Sequence, residues 1–112
     1  MSEFKSDDEK DRWDLIPLSA LRYVVKAFTY GSRKYDDWSW RDRVNNPIPR
    51  YYAATMRHLD KWQSGERNDP ETGLPHLAHA IASLLIVMCH SENVSPPVWI
   101  DGGQKGGDGV EV

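Results

Sequence analysis

The chain has 112 residues, 39% of them hydrophobic, with 17 Asp and Glu against 14 Lys and Arg and a formal net charge of -3. That length allows one domain with a modest core, and the acidic balance argues against a general nucleic-acid-binding surface, which would be basic. One cysteine, Cys89, excludes an intrachain disulfide, and no apolar run reaches the length of a membrane span, so the composition points to a soluble protein of a reducing cytoplasm.

Residues 1–12 are almost wholly polar and have little to bury, which predicts a mobile N-terminal segment without the apolar core of a signal peptide. Trp13, Leu15 and Ile16 give an apolar anchor, and Pro17-Leu18-Ser19 carries helix-start signals. Leu21, Val24, Val25 and Phe28 recur at the spacing of an amphipathic helix. Gly31 should weaken or end it, with Ser32 to Tyr35 as one further turn. Asp36 to Arg43 and Asn45-Asn46-Pro47 read as loop, because charges and turn residues interrupt any period.

A second helix is predicted from near Pro49 to about Ser64, with Tyr52, Ala53, Met56, Leu59 and Trp62 facing inward. A third runs from Pro75 to roughly Ser91. Its Leu77, Ala80, Ile81, Leu84, Leu85 and Met88 can pack on two sides, which predicts the central helix, and Cys89 reads as a core thiol. Ser95-Pro96-Pro97 should stop it. Residues 94–112 then form a Pro/Gly-rich flexible arm whose Val98, Trp99 and Ile100 would dock on a partner. The expected fold is all-α: a helical domain over 13–93 with three main helices, a bundle completed by homo-oligomerisation as a dimer or higher assembly.

The chemistry concentrates between residues 57 and 79, which hold three of the four histidines. Gly65, Gly73 and Asp69-Pro70 are turn residues, so one helix end and the next helix start converge there. His58, His76 and His79, with Glu66, Asp69 or Glu71, form a candidate metal site; imidazole with carboxylate suits zinc, manganese, iron or nickel, and a carboxylate-dominated set suits magnesium or manganese. The same histidines would also serve as hydrogen-bonding caps for the two helices. Arg33, Lys34, Arg50 and Arg57 can hold phosphate oxygens or form a solvated surface. Tyr30, Tyr35, Trp38 and Trp40 can stack on a base or seal a subunit interface. Ser83 and Cys89 lack an activating base, which leaves metal-assisted attack by water as the chemistry.

Several ordered stretches between Lys5 and about Met88 resemble the phage and bacterial dATP/dGTP diphosphohydrolase N-terminal-domain proteins, related in proposed activity to the MazG and MazZ nucleotide pyrophosphohydrolases. They are Arg12 to Pro17, Phe28 to Tyr35, Trp40, Arg50-Tyr51, Arg57-His58, Gly65-Glu66, Asp69 and Gly73 to His79. The resemblance implies a MazG-like all-helical phage protein of the host cytoplasm that binds a deoxypurine triphosphate and hydrolyses it to the monophosphate and pyrophosphate with magnesium or manganese, zinc or cobalt also fitting. In this reading Glu66, Asp69, Glu71, His76 and His79 hold the metal, and His58, Glu66 and Asp69 act in catalysis. Tyr30, Arg33, Lys34, Trp38, Trp40 and Arg57 bind the nucleotide. The paired acidic motifs of MazG helices are absent, and His76-x-x-His79 stands in their later position. That departure motivates the alternative of a non-catalytic phage sponge that sequesters a nucleotide defence signal.

Overall fold

Three amphipathic segments become helices: α1 at Leu18–Lys34, α2 at Pro47–Gln63 and α3 at His76–Ser91. The computed structural model describes residues 9–42, 47–95 and 97. Single 3-10 turns at Trp13–Leu15 and Ser39–Arg41 flank α1. Among the described residues there is no strand, only an isolated bridge between Asn68 and Pro75, so the chain is all-α as its periodicities predict. The N-terminal segment up to residue 8 and the arm from Val98 onward lie outside the described residues.

Gly31 does not end α1, which continues through it to Lys34. A glycine in a helix interior costs only about 1 kcal/mol relative to alanine, and Arg33 and Lys34 in the last turn complement the negative end of the helix dipole. α3 stops earlier than its prolines require. Asn93 adopts a left-handed φ of 55°, and the Val94 N–H closes back on the Cys89 carbonyl at 2.9 Å, satisfying a helix-end carbonyl in the manner of a Schellman cap.

α3 is the central helix, packed extensively on α2 and on α1. Its inward side is made of small residues, Ala78, Ala80 and Ala82, with Ile86, His76 and His90. Alanines let the neighbouring helices approach closely, and the core cluster of Val24, Ala27 and Ala82 closes against Phe28, Leu74 and Leu85. The large apolar side chains expected inside α2 point outward instead: Tyr52, Met56 and Trp62 are 55%, 47% and 46% exposed. Thr55 is buried in their place, with Tyr51, Ala54 and His58 half-buried. Periodicity locates an apolar stripe but not whether it faces the chain's own core or the outside. On α3 the stripe Leu77, Ile81, Leu84 and Met88 is likewise exposed.

Candidate functional site

The α2–α3 connection is an ordered loop tied by its own backbone. The Asp69 N–H donates to the Leu74 carbonyl at 2.8 Å, the Gly73 N–H to the Asp69 carbonyl at 2.7 Å and the His76 N–H to the Arg67 carbonyl at 2.9 Å. Gly65 and Gly73 occupy φ of 109° and 75°, conformations that glycine reaches without a Cβ penalty. Asp69 Oδ1 accepts the Glu71 N–H at 2.9 Å, a local turn that aspartate favours. This bond leaves Oδ2 facing His79 Nε2 at 3.7 Å.

His58, from the middle of α2, stacks on His79, from the first turn of α3, with ring centroids 4.8 Å apart and planes 16° from parallel. His58, Asp69 and His79 each bring one ligand atom within 4.8 Å of the others. All three are half-buried. Burial pushes the His58 imidazole below its ordinary pKa, with His79 and His76 adding to the effect against the pull of Asp69. Burial likewise lowers His79, opposed by Asp69. Two imidazoles held neutral beside a carboxylate are a donor set suited to a divalent transition ion.

The other histidine of this cluster sits behind that centre. His76 is buried, at 3% exposure; its Nε2 lies 2.8 Å from Glu66 Oε2 and its Nδ1 lies 2.9 Å from His58 Nδ1. Glu66 and His76, which the sequence reading placed among the ligands, are therefore joined to each other and to His58 rather than to the Asp69–His79 group. Thr72 Oγ1 accepts the Leu74 N–H at 3.2 Å and is hydrogen-bonded to His79 Nε2 at 2.7 Å. Thr72 carried no signal in the sequence.

Glu71 belongs to a neighbouring group. The Tyr30 hydroxyl donates to Glu71 Oε2, and the Lys34 ammonium bonds the same oxygen at 3.2 Å. Tyr30 first, then Lys34, hold the Glu71 carboxyl below the usual carboxylate range, and Glu71 in turn raises the Tyr30 phenol. Glu71 thus orients two cleft side chains and is a poor proton acceptor.

The centre opens on a cleft of about 750 Å³, lined by Tyr30, Lys34, Tyr35, Trp38, Trp40, Arg57, His58, Asp69, Glu71, Thr72 and His79 among others. Arg33 and Arg50 do not line it; Arg50 lies over the Tyr51 ring, 5.6 Å from its centroid. Trp38 and Trp40 face one another at 5.6 Å, and His90 Nε2 donates to the Trp40 carbonyl at 2.7 Å, fastening this aromatic wall to the far end of α3. Asp36 and Trp38 have φ of 142° and 60°, left-handed conformations that cost on the order of 1–3 kcal/mol for such residues and concentrate at ligand-binding segments.

Fold and site together define an all-α protein with a candidate metal centre at one side of an aromatic and cationic cleft. The chain belongs to the family described as dATP/dGTP diphosphohydrolase, N-terminal, which it matches over residues 1–95. It is 30% identical over 87 residues to a dATP/dGTP diphosphohydrolase of Salmonella phage PMBT28. The match covers 78% of this chain and 29% of that protein, so the matched stretch spans less than a third of that relative's length. No solved structure matches. Among the described residues no helix is long and apolar enough to cross a membrane.

Proposed function

We propose that this domain supports metal-dependent pyrophosphohydrolysis of a deoxynucleoside triphosphate, dATP or dGTP, to the monophosphate and pyrophosphate. The observation that carries this reading is the convergence of His58, Asp69 and His79 on a cleft that also presents Lys34, Arg57, Tyr30, Trp38 and Trp40. The family and the phage relative's name supply the substrate class.

His58, Asp69 and His79 are the residues to hold a divalent ion, manganese, cobalt or zinc by their donor types and magnesium by the family resemblance. When bound, such an ion stabilises charge on the phosphoryl oxygens and lowers the pKa of water. The chain's own residues do the rest. Lys34 and Arg57 lie where they can neutralise the triphosphate, Lys34 exchanging Glu71 for a phosphate oxygen. The Trp38–Trp40 wall and Tyr30 offer faces for the purine. In the reaction, water oxygen bonds to the α-phosphorus, the bond from that phosphorus to the bridging oxygen breaks, and pyrophosphate leaves with that oxygen. A second copy of the chain covering the exposed α2 and α3 stripes would exclude water from the small core.

Incubating the protein with each dNTP and magnesium, manganese, cobalt or zinc, and following nucleotide by chromatography, tests the reaction. Monophosphate and pyrophosphate in equal amounts are expected. Inorganic phosphate alone would indicate a different hydrolase, and intact nucleotide recovered from denatured protein after long incubation with every metal would leave only a binding protein.

A further inference from the structure

Glu66 and His76 do not line the cleft, yet they form a hydrogen-bonded chain that runs from the loop to His58. We infer that Glu66 and His76 are positioning residues that fix the tautomer of His58, leaving its Nε2 lone pair available to a divalent cation shared with Asp69 and His79. The inference rests on the metal reading above but concerns a property of the metal-free protein.

The donors and acceptors assign themselves in order. Glu66 Oε2 is an acceptor 2.8 Å from His76 Nε2, so Nε2 carries the proton. A neutral imidazole then has a bare Nδ1, and that atom is 2.9 Å from His58 Nδ1. Two bare nitrogens at that distance would repel, so His58 Nδ1 carries its proton and donates it. His58 Nε2 is left bare. The His79 ring stacked on one face of His58 and the tilted His76 ring at 5.2 Å further restrict how His58 can turn. Metal-binding imidazoles characteristically donate their second N–H to a carboxylate or carbonyl, and losing that partner costs 10–100-fold in metal affinity. Here a second imidazole is interposed between the carboxylate at the loop and the ligand on α2, and it spans the gap between the two elements.

Long-range proton–nitrogen correlation spectra of the EDTA-stripped protein at pH 8 read the tautomers directly. The expected result is an Nδ1–H form for His58 and an Nε2–H form for His76; an Nε2–H form for His58 overturns the inference. Calorimetric titration with manganese and zinc supplies the second readout. His76→Leu removes the acceptor and is expected to lower affinity 10–100-fold, whereas His76→Asn, whose amide oxygen replaces Nδ1, and Glu66→Gln, whose carbonyl still accepts, stay close to the parent. His76→Leu binding as tightly as the parent also overturns it. Should His76→Leu fail to fold, the parent spectra and the two milder variants decide. If the parent shows the expected tautomers but binds neither ion, the relay stands and the metal reading falls.

Discussion

Asp69→Asn separates the loop's architecture from its chemistry. Asparagine keeps an oxygen to accept the Glu71 N–H, now at 2.9 Å, and the backbone bonds at Asp69 are untouched, so the turn persists and stability should change by no more than about 1 kcal/mol. What disappears is the negative charge on the oxygen that faces His79 at 3.7 Å. A divalent ion about 2 Å from a carboxylate oxygen gains about 4 kcal/mol from a unit charge even at the dielectric constant of water. Carboxylate desolvation and the amide dipole offset part of this. A net loss of about 3 kcal/mol remains, roughly a hundredfold in affinity. Titrating manganese or zinc into EDTA-stripped parent and variant, with urea unfolding of both in parallel, measures the two quantities. Binding by Asp69→Asn within threefold of the parent would refute the assignment of Asp69 as a ligand; a loss of several kcal/mol in stability would refute the account of the turn.

Other outcomes follow from the same geometry. The folded state resists protonating His58 and His79, while the unfolded chain takes up protons near pH 6.5, so it binds more protons below that value; metal-free protein should lose stability as pH falls from 7.5 through 6.5 and level off below the folded pKa values, which urea midpoints at stepped pH would show. Gly73→Ala meets open space but a φ of 75°, a cost of about 1–2 kcal/mol; its melting temperature should drop by several degrees, and no change would contradict the left-handed turn. The exposed α3 stripe should hold a second copy of the chain, so Leu84→Lys is expected to shift sedimentation from an oligomer to a monomer, and a parent already monomeric at micromolar concentration would oppose that assignment.

The sequence announces its helices because their boundaries are local. Pro17, Gly65 and Pro75 mark them with backbone chemistry, and the stripes between have the right period. It also marks the loop whose Gly73 permits the turn around Asp69. It does not announce the division of labour among the histidines. His76 and His79 are equivalent by spacing, and only the crossing of α2 over α3 decides that His58 stacks on His79 and bonds His76. The inward face of α2 was hidden for a related reason. Thr55 is buried there and bonds the Tyr51 carbonyl at 2.9 Å, which lets a polar residue take an interior place that hydrophobicity alone assigns to Met56. The left-handed Trp38 has no residue-type signal at all, since tryptophan is among the last side chains expected in that conformation.

The His90–Trp40 bond gives α3 the role of a ruler. His79 near its start belongs to the candidate metal centre, and His90 near its end grips the aromatic wall; eleven residues of helix rise separate them by about 16 Å. The spacing between the two ends of the cleft is therefore set by a rigid rod rather than by the loops on either side. Under the proposed function, changes in the loop around Trp38 would retune which base is accepted while leaving the distance to the His58–Asp69–His79 group constant, so selectivity and turnover would vary separately.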